Sequence, residues 1–229
     1  MEGTFIGLPS IFYVLLSNNN KDYDNLQLLL HFIIAFVFCY GENKLPINLI
    51  SGGLMLANLQ IDRVKIMDFM TLRFLEKSEN IIFCGSPGVG KTNLAVSIGI
   101  EAAKQRNCVY FITFQELISQ LKKANDENRL ERRIKWFCRY KLLIIDELGY
   151  QKMNNESANL FFNLIAKRYE KSSTIITTNS PFSKWGDIFQ EPVLTNALLD
   201  RLLHHCSVIN INGPSYRLKD QLQFVTEEG

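Results

Sequence analysis

The sequence has almost no excess of charge of either sign. It carries 25 Lys and Arg against 23 Asp and Glu, which leaves a formal net charge of +2 over 229 residues. A balance so close to neutral does not by itself indicate a polyanionic partner. Any contact with nucleic acid therefore has to come from a local basic patch.

The chain also lacks a recognisable cysteine pattern. Its five cysteines are odd in number and widely spaced, and most lie within apolar runs, so neither a disulfide framework nor a zinc site is indicated. We therefore predict a reducing, cytoplasmic environment. The five are Cys39, Cys84, Cys108, Cys138 and Cys206.

A cleavable targeting signal and a long hydrophobic run are both missing. Residues 1–10 contain no basic segment, and no small-residue cleavage pattern follows an apolar core. The most apolar stretch is Leu28–Tyr40, which as a helix would reach about 20 Å, short of the roughly 30 Å hydrocarbon core of a bilayer. We predict a buried helix or strand there, with a membrane span as the less favoured alternative, and we expect no membrane association.

The overall composition suits one globular domain with a small appendage, because 47% of the residues are hydrophobic and 21% are charged. The pattern changes near residue 60. Residues 1–60 carry a net charge of −2 and residues 61–229 one of +4, and the first part shows no sustained helical or strand period. We predict an atypical N-terminal segment over residues 1–57 and a folded core over residues 58–229.

From Asn58 onward, short β-rich apolar runs alternate with longer helical stretches. This alternation is typical of the α/β class, with a parallel sheet flanked by helices on both faces. The predicted strands are Ile81–Cys84, Cys108–Ile112, Leu142–Ile145, Ser173–Thr178 and Ser207–Ile211. Helices are predicted over Asn93–Gln105, from Thr113 (which has capping-box spacing to Glu116), around Ala158–Tyr169 and over about Pro192–His205.

A glycine-rich loop follows the first predicted strand and precedes a helix. The segment GSPGVGKT fits the P-loop pattern, and this strand–loop–helix context is the one that the chemistry requires. Glycines let successive N–H groups turn inward, where they and the helix dipole bind a polyphosphate. Lys91 would bridge the β- and γ-phosphates, and the Thr92 hydroxyl would coordinate Mg²⁺. The predicted phosphate-binding residues are Gly85, Ser86, Pro87, Gly88, Val89, Gly90, Lys91 and Thr92.

Two adjacent carboxylates end the third predicted strand. In an open parallel sheet, ligands bind at the carboxyl ends of the strands, so Asp146 is placed beside the phosphate loop, where it can hold the metal. Glu147 points in a different direction and could deprotonate a water for attack on the γ-phosphorus. The pair Asp146 and Glu147 therefore favours ATP hydrolysis over phosphate transfer to a small molecule, the reaction of a small-molecule kinase.

The fourth predicted strand ends in Thr178 and Asn179. A polar side chain at this edge could touch the attacking water or the γ-phosphate. Asn179 could equally cap the turn before Pro181, because Asn-Ser-Pro is a turn sequence.

Five segments taken together resemble the IstB-like ATP-binding family, AAA+ helper ATPases of insertion-sequence transposition that are related to DnaC-type helicase loaders. The resemblance runs from about Leu59 to Lys219, roughly 70% of the chain. Its segments are ENIIFCGSPGVGKTNLA (79–95), LLIIDELGY (142–150), STIITTNSPFSKWG (173–186), LLDRLLHH (198–205) and SYRLK (215–219).

The resemblance implies an AAA+ core that binds ATP, forms a homo-oligomer on DNA and recruits or regulates a transposase. Lys91, Thr92, Asp146 and Glu147 match the family's ATP and metal residues, and Asn179 matches its sensor position. The preference for adenine is implied by the resemblance alone.

The resemblance also makes Arg201 the arginine that reaches the γ-phosphate of a neighbouring subunit. The residue pattern is compatible, since Arg201 projects from the edge of an apolar stripe of leucines in the last predicted helix. The alternative is an ordinary pair with a carboxylate of the same chain. His204 and His205 end the same helix, where capping of the helix dipole is favoured over metal binding.

A local basic patch lies between Asn125 and Lys141. As a helix this stretch would bury Leu130, Ile134 and Phe137 and direct most of its basic side chains outward, towards DNA phosphates without sequence preference. A merely solvated face is the alternative. The candidate DNA contacts are Arg129, Arg132, Arg133, Lys135, Arg139 and Lys141.

The N-terminal part departs from the family, whose members usually begin with a basic, helical region. Residues 1–55 are acidic and apolar instead, so we expect a truncated or rearranged copy whose activity is impaired.

A replicative helicase loader and a DNA-bound assembly switch with little turnover remain alternative functions. Arg217 could sense nucleotide or anchor the last segment.

Overall fold

The computed structural model describes residues 62–149, 152–213 and 215. Predictions that concern residues 1–61, among them the Leu28–Tyr40 run and the atypical N-terminal segment, lie outside the described residues, as does Arg217. None of the described helices combines the length and the apolar character that a membrane crossing needs. The described cysteines, Cys84, Cys108, Cys138 and Cys206, are free thiols.

Helices and strands alternate along the chain, as the sequence pattern predicts. The strands are β1 (Asn80–Gly85), β2 (Val109–Thr113), β3 (Leu142–Leu148), β4 (Ser173–Thr178) and β5 (Cys206–Ile211). The helices are α1 (Arg63–Met70), α2 (Arg73–Glu76), α3 (Lys91–Lys104), α4 (Phe114–Asp126), α5 (Leu130–Phe137), α6 (Asn155–Arg168), α7 (Trp185–Phe189) and α8 (Pro192–Leu203), with a 3₁₀ turn at Phe182–Lys184.

The five strands form one parallel sheet in the order β2-β3-β4-β1-β5. This order places β4 between β1 and β3. The carboxyl end of β4 therefore lies between the loop that follows β1 and the carboxylates that end β3. The predicted α/β class with a parallel sheet is confirmed.

Two apolar cores cover the two faces of the sheet. Alternate residues of β1 belong to different cores, because successive side chains of a strand point to opposite faces of the sheet. Ile81 and Phe83 pack with α1, α2 and α3, whereas Ile82 and Cys84 face the core built from α4 to α8. Helices on both faces are what a buried parallel sheet requires.

Local signals placed two of the helix starts correctly. The Thr113 hydroxyl accepts a hydrogen bond from the Glu116 N–H at 3.2 Å, as the capping box predicts, and Pro192 is the first residue of α8. The final helix ends at Leu203, two residues earlier than predicted. The third strand extends three residues further than predicted, to Leu148, and so contains both carboxylates.

The predicted single helix over the basic patch is wrong. Helix α4 ends at Asp126, Asn128 adopts a left-handed φ of 53°, and α5 begins only at Leu130. Asparagine tolerates this conformation, which commonly ends helices. Ile134 and Phe137 are buried as expected, but Leu130 is only half-buried.

Candidate functional site

The loop that joins β1 to α3 is shaped by close backbone approaches. A Cβ on Gly85 would overlap the carbonyl oxygen of Ile211, the last residue of β5. Gly88 has a φ of 80°, and a Cβ there would overlap the hydroxyl of Ser215. Glycine is therefore favoured at both positions, because the last residue of β5 approaches Gly85 closely and the positive φ of Gly88 strains any side chain.

The Lys91 side chain folds back across this loop. Its Nζ donates to the carbonyl oxygens of Gly85 and Ser86 at 2.7 and 2.8 Å. Lys91 is the first residue of α3, so its ammonium lies beside the positive end of the helix dipole. The loop thus concentrates N–H donors and a cation at one place, which is what binding of a polyanion needs.

Asp146 lies at the centre of a hydroxyl network beside the loop. The Thr92 hydroxyl donates to its carboxylate oxygens, with distances of 2.9 and 3.1 Å, and the Thr177 hydroxyl also donates to Oδ1. The Asp146 side chain is buried. The structure therefore brings the end of β3 against the first turn of α3, as the sequence predicts.

A bulge in β3 separates the two carboxylates. Ile145 pairs with Ile176 and Leu148 with Thr178, so Asp146 and Glu147 together face the single residue Thr177. Glu147 has a left-handed φ of 62°, and its N–H donates to the Thr177 hydroxyl at 3.0 Å. The bulge turns Asp146 inward and leaves the Glu147 carboxylate exposed.

Burial dominates the ionisation of Asp146. It raises the pKa of the carboxyl above its ordinary value, whereas the hydrogen bonds from Thr177 and Thr92 lower it. The neighbouring Glu147 charge raises the pKa further, and Lys91 opposes it. A divalent cation would supply the positive charge that this buried group needs in its ionised form.

The donor set fits Mg²⁺. The Thr92 hydroxyl and the Asp146 carboxylate are hard oxygen ligands, and they already lie within hydrogen-bonding distance of each other. Mg²⁺ usually keeps several waters and takes one or two protein ligands plus phosphate oxygens. These two side chains match that requirement.

Asn179 directly follows β4 and is exposed. The turn-forming contacts belong to its neighbour Thr178, whose hydroxyl accepts the Ser180 N–H at 3.1 Å and donates to the Leu148 carbonyl at 2.8 Å. The Asn179 Oδ1 accepts a weak hydrogen bond of 3.4 Å from the Ser180 hydroxyl. The turn after β4 is therefore stabilised mainly by Thr178, and the Asn179 side-chain amide is exposed at the carboxyl end of the strand.

Arg201 lies at the opposite end of the sheet from the phosphate loop. The neighbouring Leu202 carbonyl accepts a hydrogen bond from the side chain of Asn80, the first residue of β1, whereas the loop follows the last residue, Gly85. The length of β1, about 16 Å, separates the two ends. Arg201 therefore cannot reach a phosphate bound in its own loop.

Arg201 does not form the ion pair with a carboxylate of its own chain that was the alternative expected from the sequence. Its Nη1 donates to the Ala197 carbonyl at 2.9 Å, and its guanidinium lies 4.8 Å from the centre of the Phe162 ring. Within residues 62–149, 152–213 and 215, no ion pair includes Arg201.

His204 caps α8 and His205 follows it, with both rings exposed.

The basic patch is only partly available to a partner. Arg129 pairs with Glu127, and Lys135 pairs with Glu131 at 3.0 Å. Arg133 is half-buried and stacks on Trp136 at 4.2 Å, with Arg139 at 5.6 Å from the same ring. Arg132 and Arg139 are exposed, and Lys141 is half-buried.

Sequence reasoning missed two contributors to the site. Thr177 positions both carboxylate residues, and Ser215 packs on the loop at Gly88. A threonine pair at the end of a buried strand could have pointed to Thr177. Ser215 begins the segment SYRLK (215–219) that contributes to the family resemblance, but its contact with the loop depends on where β5 lies in the sheet.

The geometry agrees with the comparison of the sequence with known families. Residues 56–224 match the family of IstB-like ATP binding proteins. The chain belongs to this family. The match includes every residue of the candidate site.

Family relatives share much of the sequence. The chain is 58% identical over 160 residues to a protein from Bacillus thuringiensis subsp. berliner named as the ATP-binding protein of insertion sequence IS232, covering 70% of this chain and 64% of that one. It is 48% identical over 161 residues to the corresponding IS21 protein of Pseudomonas aeruginosa, covering 70% and 61%. The chain thus spans somewhat under two thirds of the length of these relatives.

Among solved structures, the IstB-like core is similar to the DnaC helicase loader. The TM-score is 0.57 at 26% sequence identity, and the match covers 66% of this chain and 88% of that one.

Proposed function

We propose that this IstB-like protein binds and hydrolyses ATP as an AAA+ helper of DNA transposition. The observation that carries the proposal is the convergence of the phosphate loop with the Asp146 carboxylate, measured at 2.9 Å from the Thr92 hydroxyl. A glycine-rich loop, a lysine and a buried aspartate at one edge of a parallel sheet together suit a magnesium triphosphate.

Each side chain has one task in this proposal. Lys91 transfers its hydrogen bonds from the Gly85 and Ser86 carbonyls to phosphate oxygens, and Thr92 and Asp146 hold Mg²⁺. Held there, Mg²⁺ would supply positive charge to neutralise the phosphates. Glu147, exposed on the bulge, orients and deprotonates the attacking water, and Asn179 contacts the same water or the γ-phosphate.

A neighbouring copy of the chain completes the site. Arg201 lies about 16 Å along β1 from its own loop, so it contributes to turnover only in a homo-oligomer, where it stabilises charge on the γ-phosphate of the adjacent subunit. The guanidinium of Arg201 is half-buried against the Phe162 ring, which would hold it at the surface for contact with a neighbouring subunit.

Assembly on DNA and regulation of a transposase complete the proposed function. The names of the relatives, which associate them with insertion sequences, support this role. The exposed Arg132 and Arg139 of the basic patch, with Arg129, Arg133 and Lys135 beside them, are the proposed DNA contacts, reading phosphates and not sequence. Residues 58–229 form the proposed ATPase core, and residues 1–57 a separate segment.

The likeness to DnaC supports a second candidate, a replicative helicase loader. The two functions differ in partner and not in the ATP site. Capture of a replicative helicase in place of a transposase would favour the loader.

The experiment that tests the proposal measures ATP binding and turnover with and without duplex DNA at two salt concentrations. We expect Lys91→Ala to lose ATP binding, and Glu147→Gln to bind ATP normally while turnover falls by at least about a hundredfold, because only the proposed base is removed. Lys104→Ala, at the far end of the same helix, is the matched control and should behave as the unaltered protein. Normal ATP hydrolysis by Glu147→Gln would show that the assigned base is wrong.

A further inference from the structure

Three ligand-type side chains meet on the surface far from the phosphate loop. Glu170 follows α6, and His204 and His205 follow α8. The Glu170 Oε1 lies 3.7 Å from His204 Nδ1 and 3.7 Å from His205 Nε2. The three ligand atoms all lie within 4.8 Å of one another.

The backbone holds the two histidines in place although their rings are exposed. The His204 N–H donates to the Asp200 carbonyl at 3.0 Å, which caps α8. The His205 carbonyl accepts the N–H of Asn80 at 2.7 Å and so fixes the residue to the start of β1. Their ring centres lie 4.1 Å apart.

The turn that carries Glu170 is anchored as well. Glu170 has a left-handed φ of 57°, and the N–H groups of Lys171 and Ser172 both donate to the Arg168 carbonyl. The Arg168 side chain is buried and donates to the carbonyls of Phe137, Tyr140 and Ser173. The backbone of Glu170 is therefore fixed, and its exposed carboxylate can adjust by rotation of the side chain.

We propose that Glu170, His204 and His205 form a binding site for a divalent transition metal ion of the zinc type. Two imidazole nitrogens and one carboxylate oxygen are a common zinc donor set, and three protein ligands leave a fourth position for water. Tetrahedral bonds of about 2.0–2.2 Å place neighbouring ligand atoms about 3.3 Å apart. The two separations of 3.7 Å from Glu170, and a third of at most 4.8 Å between the histidine nitrogens, close by rotation of the exposed side chains. Mg²⁺ is disfavoured because it prefers all-oxygen sites.

Tyr169 competes with the metal, because its phenol contacts both His204 and the Glu170 carboxylate. Its phenol oxygen lies 2.7 Å from His204 Nδ1, the nitrogen that faces Glu170. A metal bound at this nitrogen displaces the phenol. Loss of the hydroxyl in Tyr169→Phe should therefore tighten metal binding.

A bound metal would join the end of α6 to the end of α8. Arg201 lies three residues before His204, on the last turn of α8. The metal would fix this turn and raise the melting temperature of the protein, since it binds the folded state alone. The site does not depend on the proposed ATPase function, because none of its residues touches the phosphate loop.

The test titrates the full-length, nucleotide-free protein with Zn²⁺ in the presence of excess Mg²⁺, by calorimetry and by competition with a chromogenic chelator. We expect one Zn²⁺ per chain at this site, and Co²⁺ in its place should give the visible absorption of a four-coordinate ion. His204→Gln and His205→Gln should each weaken binding by at least about tenfold, the loss that even an outer-shell partner of a metal ligand produces. Tyr169→Phe should bind Zn²⁺ more tightly.

The exposed thiol of Cys108 provides the matched control, because it is the most accessible described alternative for a soft metal. Cys108→Ser should keep the affinity unchanged. Circular dichroism and metal-free melting curves of the histidine variants should match the unaltered protein, since both rings are exposed. Zinc binding that survives in the double histidine variant, or that disappears in Cys108→Ser, would overturn the proposal.

Discussion

A single hydroxyl group organises the acidic end of β3. The Thr177 Oγ1 accepts the N–H of Glu147 and donates to the carboxylate of Asp146. It therefore stabilises the bulge that sends the two carboxylates in different directions. A backbone φ of 62° at Glu147 is uncommon for a residue with a side chain and persists because these contacts hold it.

The first prediction concerns this hydroxyl. Thr177→Val keeps the shape of the side chain and removes both hydrogen bonds, so we expect turnover to fall about tenfold, corresponding to ~1.4 kcal/mol, with ATP affinity within about twofold of the unaltered protein. Steady-state ATPase assays and titration with a fluorescent ATP analogue measure the two quantities. Thr71→Val, which removes an exposed hydroxyl far from the site, is the control. Unchanged turnover in Thr177→Val would contradict this positioning role.

At the scale of the elements, Arg168 joins parts of the chain that are distant in sequence. It ends α6, is 1% exposed, and donates hydrogen bonds to the loop before β3 and to the start of β4. Burial lowers the pKa of its guanidinium to about 10, so the group stays charged at neutral pH. Its charge is balanced by carbonyl dipoles, which become unsatisfied if the side chain is removed.

We therefore expect Arg168→Met to destabilise the protein by about 3 kcal/mol, because several buried carbonyl groups lose their donor. For a chain of this size the melting temperature should fall by roughly 6–12 °C. Urea and thermal unfolding measure the effect. Lys167→Met, at the exposed neighbouring position, should change stability by less than about 0.5 kcal/mol. An equal loss in the two variants would count against the role of Arg168.

At the scale of the whole molecule, the sheet protects a thiol next to the phosphate loop. Cys84 precedes Gly85, and its burial raises the pKa of the thiol to about 11, with the Lys91 charge opposing the shift. The thiolate is the reactive form, so a higher pKa means slower reaction at pH 8.

Iodoacetamide should accordingly modify the exposed Cys108 in the folded protein and react much more slowly with Cys84, because the Cys84 thiol is buried and its pKa is raised. Peptide mass spectrometry after timed quenching measures both rates. In urea the two rates should converge. Rapid labelling of Cys84 in the native protein would show that β1 is not packed as described.

The placement of Arg201 leads to a prediction about subunits. Arg201→Ala should bind ATP normally, since the residue lies far from its own loop, but turnover should fall by at least about tenfold. Mixing Arg201→Ala with Lys91→Ala should restore part of the activity, because one variant supplies an intact loop and the other an intact arginine. ATPase assays of the single variants and of their mixture decide this. A mixture no more active than the sum of its parts would exclude action between subunits.

Local patterns were enough to predict much of this protein. Strand positions, the Thr113 cap and the phosphate loop all follow from short-range chemistry, since a buried parallel strand must be apolar and a phosphate loop needs glycine beside a helix start. The pairing of Thr92 with Asp146 was also predictable, because parallel strands end at the same edge. The catalytic roles of Glu147, Asn179 and Arg201 stay predictions.

Features that depend on the order of the strands could not be predicted from local patterns. Because β4 lies between β1 and β3, Thr177 reaches both carboxylate residues, and because β5 borders β1, Ser215 packs on Gly88. The break between α4 and α5 and the meeting of Glu170 with two histidines likewise depend on how elements pack. Sequence patterns report the preferences of neighbouring residues, whereas these contacts join residues far apart in the chain, and packing of the whole core selects them.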